Sequence, residues 1–234
     1  MQLTLLVSVV VAGIPAQFGG VASAGTVDLF SNAGTGTNNI TGTNTAVVVS
    51  PVWAPGGSDY GWISYNAGTG CNTFNPLTGL CTPGSENPPG TTVTGTPTAT
   101  FYETFTISDV SDIGNLSVWA DDTASVWLDN GTVTTGTGSS GTLEYAANGD
   151  LGPNCAASPI GCTPANNAVI PLNLTTGTYT LVIDAYQLVG GSPFGIMYDG
   201  VLTTSAGTVP EPASYLLMGL GLAGLGMLMR RRRA

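Results

Sequence analysis

In the stretch ATFYETFTI, residues 99–107, the character of the side chain changes at every step. Phe101, Glu103 and Phe105 fall on one side and Tyr102, Thr104 and Thr106 on the other, the period of a β-strand rather than of a helix. The same two-residue rhythm runs through TVDLF (26–30), TAVVVSPVW (45–53, broken by Pro51) and YGWISY (60–65). It returns in NLSVWADDTASVWLDNGTVTT (115–135), GTLEYA (141–146), AVIPLNL (168–174), TYTLVIDAYQ (178–187) and GIMYDGVLTT (195–204). Turn residues separate these runs: Asn130-Gly131, which tolerate positive φ and predict a hairpin, then Gly177 and Gly190-Gly191. Nine or ten short strands with no amphipathic helix among them predict an all-β fold, an antiparallel β-sandwich of jelly-roll type.

Two stretches read as loops outside this core. Residues 31–44, SNAGTGTNNITGTN, are short and polar. Residues 82–100 include Thr92, Thr94, Thr96, Thr98 and Thr100 in alternation. That row reads as an exposed edge strand, with Pro97 discouraging further pairing; a flat row of hydroxyls that binds ice or polysaccharide is the alternative.

Charge narrows the chemistry. The 234 residues contain no lysine and no histidine, and the four arginines are Arg230, Arg231, Arg232 and Arg233. Of the 14 acidic residues, all but Glu211 lie between Gly25 and Thr208. A body without cations cannot neutralise phosphates, so nucleic acid is excluded as a partner. It also cannot form side-chain ion pairs, so each carboxylate must meet water, a neutral donor or a bound cation. A Ser–His–Asp triad and a Schiff-base lysine are ruled out as well. The hydrolytic route that remains is a pair of carboxylates, for which Glu103, Asp121, Asp122 and Asp184 are the candidates. A calcium ion held by Asp121, Asp122 and Asp129 is a further expectation, since calcium takes oxygen ligands that nothing else in this body neutralises. The same aspartates also suit turns, where their side chains bond nearby amides. No other cofactor is expected.

The ends of the chain differ from the body. An apolar run from Leu3 to Ile14 is followed by Ala22-Ser23-Ala24, an A-x-A site, so residues 1–24 read as a cleaved signal peptide. Residues 25–208 form the expected extracytoplasmic domain, long enough to bury a core of its own. In an exported chain the four cysteines predict disulfides. Cys71 with Cys81, and Cys155 with Cys162, are each close in sequence with Pro and Gly between them, which favours two local closures. A four-thiolate zinc site is the alternative, at spacings wider than is usual.

After the body come Val209, Pro210, Glu211 and Pro212, then an apolar stretch from Ala213 to Met229, then the four arginines. Seventeen residues at ~1.5 Å per residue span ~25 Å, enough for a short transmembrane helix. Arginines at its end hold that end in the cytoplasm, which leaves the body outside. This order of parts resembles the PEP-CTERM sorting signal of exported bacterial proteins. The resemblance implies that an exosortase, a membrane-embedded protease, recognises Pro210-Glu211-Pro212 and removes the helix with its arginines. It also implies an inner-membrane precursor and a host that makes extracellular polysaccharide. The segments WADDTASVWLDNG, GTYTLVIDAYQ and SPFGIMYDG resemble the hairpin and closing strands of galactose-binding-like sandwiches. That likeness implies a non-catalytic adhesion or polysaccharide-binding module, although no Arg or His is present to grip sugar hydroxyls.

Overall fold

The computed structural model describes residues 25–32, 38–39, 42–75, 80–131, 141–149, 160–191 and 193–204. The expected signal peptide, the sorting segment and Cys155 lie outside these residues. Ala24–Ser205 forms one compact unit. Twelve strands are described: β1 Thr26–Phe30, β2 Asn38–Asn39, β3 Gly42–Thr43, β4 Thr45–Ala46, β5 Ile63–Ser64, β6 Cys71–Asn75, β7 Leu80–Pro83, β8 Ala99–Asp121, β9 Thr123–Asn130, β10 Thr142–Tyr145, β11 Ala168–Tyr186 and β12 Gly195–Thr204. The helical content of the described residues is one 3₁₀ turn, Ala67–Thr69.

Two long antiparallel strands, β8 and β11, organise the sandwich. Straight, the 23 residues of β8 would extend ~75 Å, well beyond the roughly 40 Å that a body of this length spans. The strand therefore bends, and the pairing shows where. Ile107 faces Gly177 and Ser111 faces Thr175, so three residues of β8 oppose the single Thr176 of β11. Extra residues on one side of a ladder bend it and raise its twist. They also change which positions point inward. Phe101, Phe105 and Ile107 are buried on β8 before the bend, and Leu116, Val118 and Ala120 after it. On β11 the inward set passes from Ala168, Ile170, Leu172 and Leu174 to Leu181, Ile183 and Ala185.

Each long strand thus serves both layers. In the first layer, β10, β9, the second half of β11, the first half of β8 and β2 lie side by side. In the second, the other halves of β11 and β8 are followed by β12, which pairs with β1 and, at Ile196, with β5. The inward residues of both layers form one hydrophobic cluster that includes Leu29, Phe101, Val126, Ile183, Phe194, Ile196 and Tyr198. The fold is the antiparallel β-sandwich that the alternation predicts.

Several boundaries differ from expectation. Gly177 does not end a strand: β11 runs through it, because an opposing bulge absorbs the change of direction. The run 45–53 keeps only Thr45–Ala46 as strand. Its remainder crosses the outer face of the second layer, where Trp53, Ala54, Trp62, Cys162 and Met197 build a second buried cluster. Trp62 Nε1 donates to the Ala54 carbonyl at 2.8 Å, and the Trp53 and Trp62 rings lie 4.5 Å apart. Covering Met197 and Trp119 outweighs pairing here, and Pro51 has no amide to offer a neighbour. Gly131 takes φ +118°, as its turn chemistry requires. Yet Leu128 pairs with Thr142, a register that the expected tight hairpin at Asn130-Gly131 would not give. Thr92 to Thr96 do not form an edge strand. Gly95 N donates to Thr92 O in a turn, and the Thr91 hydroxyl donates to Thr96 O.

Candidate functional site

The acidic residues singled out in the sequence occupy four different environments. Glu103 points into the sandwich between Phe101 and Phe105, where its Oε2 accepts from the Tyr198 hydroxyl at 3.0 Å. Burial pushes its carboxyl up to about 7, against a smaller opposing effect of that hydrogen bond. Asp184 lies on the opposite, outer face of the first layer. Its Oδ1 accepts from Thr100 Oγ1 at 2.5 Å. Burial raises its pKa, and the Thr100 hydroxyl and the Trp127 indole offset part of the rise.

Asp121 closes β8 and is buried. Burial, and then the charge and hydrogen bond of Asp122, hold its carboxyl well above the usual range. Asp122 Oδ2 accepts from the amides of Leu188 and Val189, at 2.8 and 3.4 Å, and so ties the end of β8 to the loop after β11. Asp129 lies near the other end of β9. Seven residues along a strand separate it from Asp122, or about 23 Å, whereas ligands of one calcium ion each approach within ~2.6 Å of it. The expected trio Asp121, Asp122 and Asp129 is therefore not brought together. Among the described residues no group of three acidic or cysteine side chains is placed to hold a metal ion. Asp121 and Asp122 are in contact as chain neighbours, but Glu103 and Asp184 face opposite sides of one layer, so the four candidates do not gather into one site.

Cys71 and Cys81 form a disulfide across the β6–β7 hairpin, a two-stranded sheet apart from the main one. Cys162 is also disulfide-bonded; Cys155 lies outside the described residues. Both findings oppose the four-thiolate zinc alternative, because an oxidised sulfur is not a thiolate ligand. A cleft of about 320 Å³ lies beside the hairpin, walled by Gly68, Gly70, Asn72, Gly84 and Ser85 and without an aromatic lining.

The outer face of the first layer is built differently. Register places its residues in rows across β8, β11 and β9. Thr100, Asp184 and Ser125 form one row, Tyr102, Val182 and Trp127 the next, then Thr104, Thr180 and Asp129. Thr106 and Thr178 follow. Within a row, hydroxyls link β8 to β11, at 3.0 Å for Thr104 with Thr180 and 3.4 Å for Thr106 with Thr178. Thr104 and Thr106 are exposed, and Tyr102 and Trp127 are half-buried. Neither ring belongs to either hydrophobic cluster, unlike Trp53, Trp62 and Trp119. Alternation in the sequence had placed Tyr102, Thr104 and Thr106 on one face. Nothing in the sequence paired that face with Trp127, because the pairing runs through β11.

Strand β12 ends at Thr204. Residues 208–233 match the PEP-CTERM protein-sorting motif. The PEP-CTERM motif supports export through exosortase sorting. It contains Val209, Pro210, Glu211, Pro212 and the four arginines. Among the described residues no helix is long and apolar enough to cross a membrane. No curated protein matches the chain in sequence. Among solved structures it is similar to a family 35 carbohydrate binding module from Clostridium thermocellum, at 10% identity over 75% of this chain and 97% of that one, with a TM-score of 0.33. So loose a superposition transfers neither residues nor ligand.

Proposed function

We propose that the protein is an exported, non-catalytic surface or matrix module associated with extracellular polysaccharide. In this reading residues 1–24 are removed on export and residues 25–208 are the working domain. The segment 213–229 anchors the precursor in the inner membrane until an exosortase cuts near Pro210–Pro212. The observation that carries the reading is the sorting motif at 208–233, attached to a body that has no cationic side chain. The basic residues act as a cytoplasmic stop and are lost with the tail. What reaches the exterior is acidic, disulfide-closed and unsuited to phosphate polymers. The separation of Glu103 from Asp184, and the burial of Asp121 beside Asp122, favour binding over hydrolysis.

Intact mass of the protein released by cells expressing the full chain tests the processing. The expected species begins at Gly25, ends near Pro210–Pro212 and lacks the arginines. Glu211→Ala is expected to leave the precursor in the membrane fraction. Released protein that still carries Arg230–Arg233 would overturn the exosortase reading.

A further inference from the structure

Tyr102 and Trp127 are half-buried rings outside both core clusters on the outer face of the first layer, whereas Tyr186 on the same face is buried. Register fixes their relation. Each sits opposite Val182, one on either side. Neighbouring strands lie ~4.8 Å apart, so the two positions are about 10 Å apart across the sheet, close to the length of an extended disaccharide. Side chains on a strand stand out from the sheet, and a half-buried ring in such a place offers an apolar face with a polar edge.

The surroundings match a ligand dense in hydroxyls. On one flank lie Thr104, Thr180, Thr106 and Thr178, whose hydroxyls already bond in pairs at 3.0 and 3.4 Å. Thr180 is buried and donates to the Gly131 carbonyl at 2.7 Å, so it keeps a partner when the exposed Thr104 hydroxyl, which can both donate and accept, turns to a sugar hydroxyl. On the other flank Thr100 bonds Asp184 at 2.5 Å, which fixes the edge of the platform beside the Trp127 indole. Charge selects among polymers. The chain carries a net charge of −10, and every basic residue lies within residues 230–233. An anionic chain would meet repulsion and no counter-charge, whereas an uncharged one meets neither.

We propose that the outer face of the first layer binds an uncharged polysaccharide, with Tyr102 and Trp127 as stacking platforms and Thr104, Thr106 and Thr178 as hydroxyl partners. This rests on the polysaccharide reading above and adds the site, the residues and the selectivity. The ligand lies over the exposed Thr104 and Thr106 of β8 and the two half-buried rings, since Thr180, Val182 and Asp184 of β11 on this face are buried. The rings supply contact area, and the threonines set the orientation. No cation takes part.

Native electrophoresis through gels containing one soluble polymer tests it, using protein released by cells that express the full chain. The polymers are hydroxyethyl cellulose, xyloglucan and galactomannan, with alginate as the anionic comparison. The expected result is retardation by at least one neutral polymer and none by alginate. Tyr102→Ala is expected to weaken that retardation about tenfold, while Tyr102→Phe, which keeps the ring, retains most of it. Trp127→Phe, which keeps an aromatic ring over the sheet, is expected to weaken it several-fold at an unchanged melting temperature. Neutral-polymer binding that survives Tyr102→Ala and Trp127→Phe overturns the platform but leaves the polysaccharide reading standing. Retardation by alginate alone overturns the selectivity and the site. Retardation by none of the polymers overturns both readings.

Discussion

The hydroxyl of Tyr198 on β12 donates to the carboxylate of Glu103 on β8 over 3.0 Å, joining the two layers of the sandwich through their apolar interior. No cation is available to neutralise Glu103, so its proton does so instead, and burial lifts its pKa to about 7.

Stability should therefore depend on pH in a definite direction. Below the ordinary value of 4.5 the carboxyl is neutral in both states, and its contribution is complete. Between 4.5 and about 7 the unfolded chain has lost the proton while the folded one keeps it. Stability falls as pH rises through that window, by ~1.4 kcal/mol per unit and ~3 kcal/mol in all, and levels off above it. Glu103→Gln removes this part of the slope. Asp121 and Asp184 have raised values too and leave a residual decline of the same sign. Chemical denaturation from pH 4 to 9 is the check, with the variant expected to overtake the wild type near neutrality. Parallel curves for the two proteins would rule Glu103 out.

Asp122 holds the loop after β11 through the amides of Leu188 and Val189. Asp122→Ala leaves both donors without that acceptor, which should cost about 1–3 kcal/mol. Asp122→Asn keeps one oxygen and should cost less. Guanidinium unfolding measures both, and hydrogen exchange at Leu188 should quicken in the alanine variant. An alanine variant as stable as the wild type would show the contact to be idle.

Gly114 lies between Leu172 on β11 and Leu202 on β12. A Cβ placed there would sit 2.1 Å from the carbonyl oxygen of Val201, a backbone atom that cannot swing aside. Gly114→Ala must push β8 and β12 apart, at an expected cost of about 1–3 kcal/mol. A lower denaturation midpoint with an unchanged slope is the predicted signature. An unshifted midpoint would mean that the strands close less tightly than described.

The Cys71–Cys81 disulfide spans a sequence separation of 10, which in the chain-entropy view stabilises by about 2–3 kcal/mol. Because β6 and β7 pair only with each other, the loss in a Cys71→Ser, Cys81→Ser protein should be largely local. Limited proteolysis should cut the hairpin faster, with the melting of the main sandwich lowered only slightly. Collapse of the whole melt would instead show that the hairpin supports the layers.

Much of the strand content was legible because alternation and turn chemistry are local. TVDLF and GIMYDGVLTT become β1 and β12 with the boundaries that their own residues suggest. The misreadings occur where a distant partner decides. The inward positions of β8 shift from odd to even between Ile107 and Leu116, which in one dimension looks like two strands with a break. Only the opposing Thr175–Gly177 shows it to be a single strand that bends. Val47 and Val49 alternate like a strand but are recruited to cover Met197. The candidate calcium ligands share one short segment of sequence, yet a strand that rises ~3.3 Å per residue carries Asp129 away from Asp122.

By itself the sequence determined the all-β character, the want of any cation in the body, the sorting motif and the local chances for disulfides. Each of these follows from residue type and near spacing. Tertiary structure alone decided that Glu103 faces inward and Asp184 outward, that Asp122 ties a loop, and that Tyr102 and Trp127 flank the same valine. Those outcomes depend on which distant strands pair and in which register, and a shift of a single residue would turn every one of those side chains to the other face.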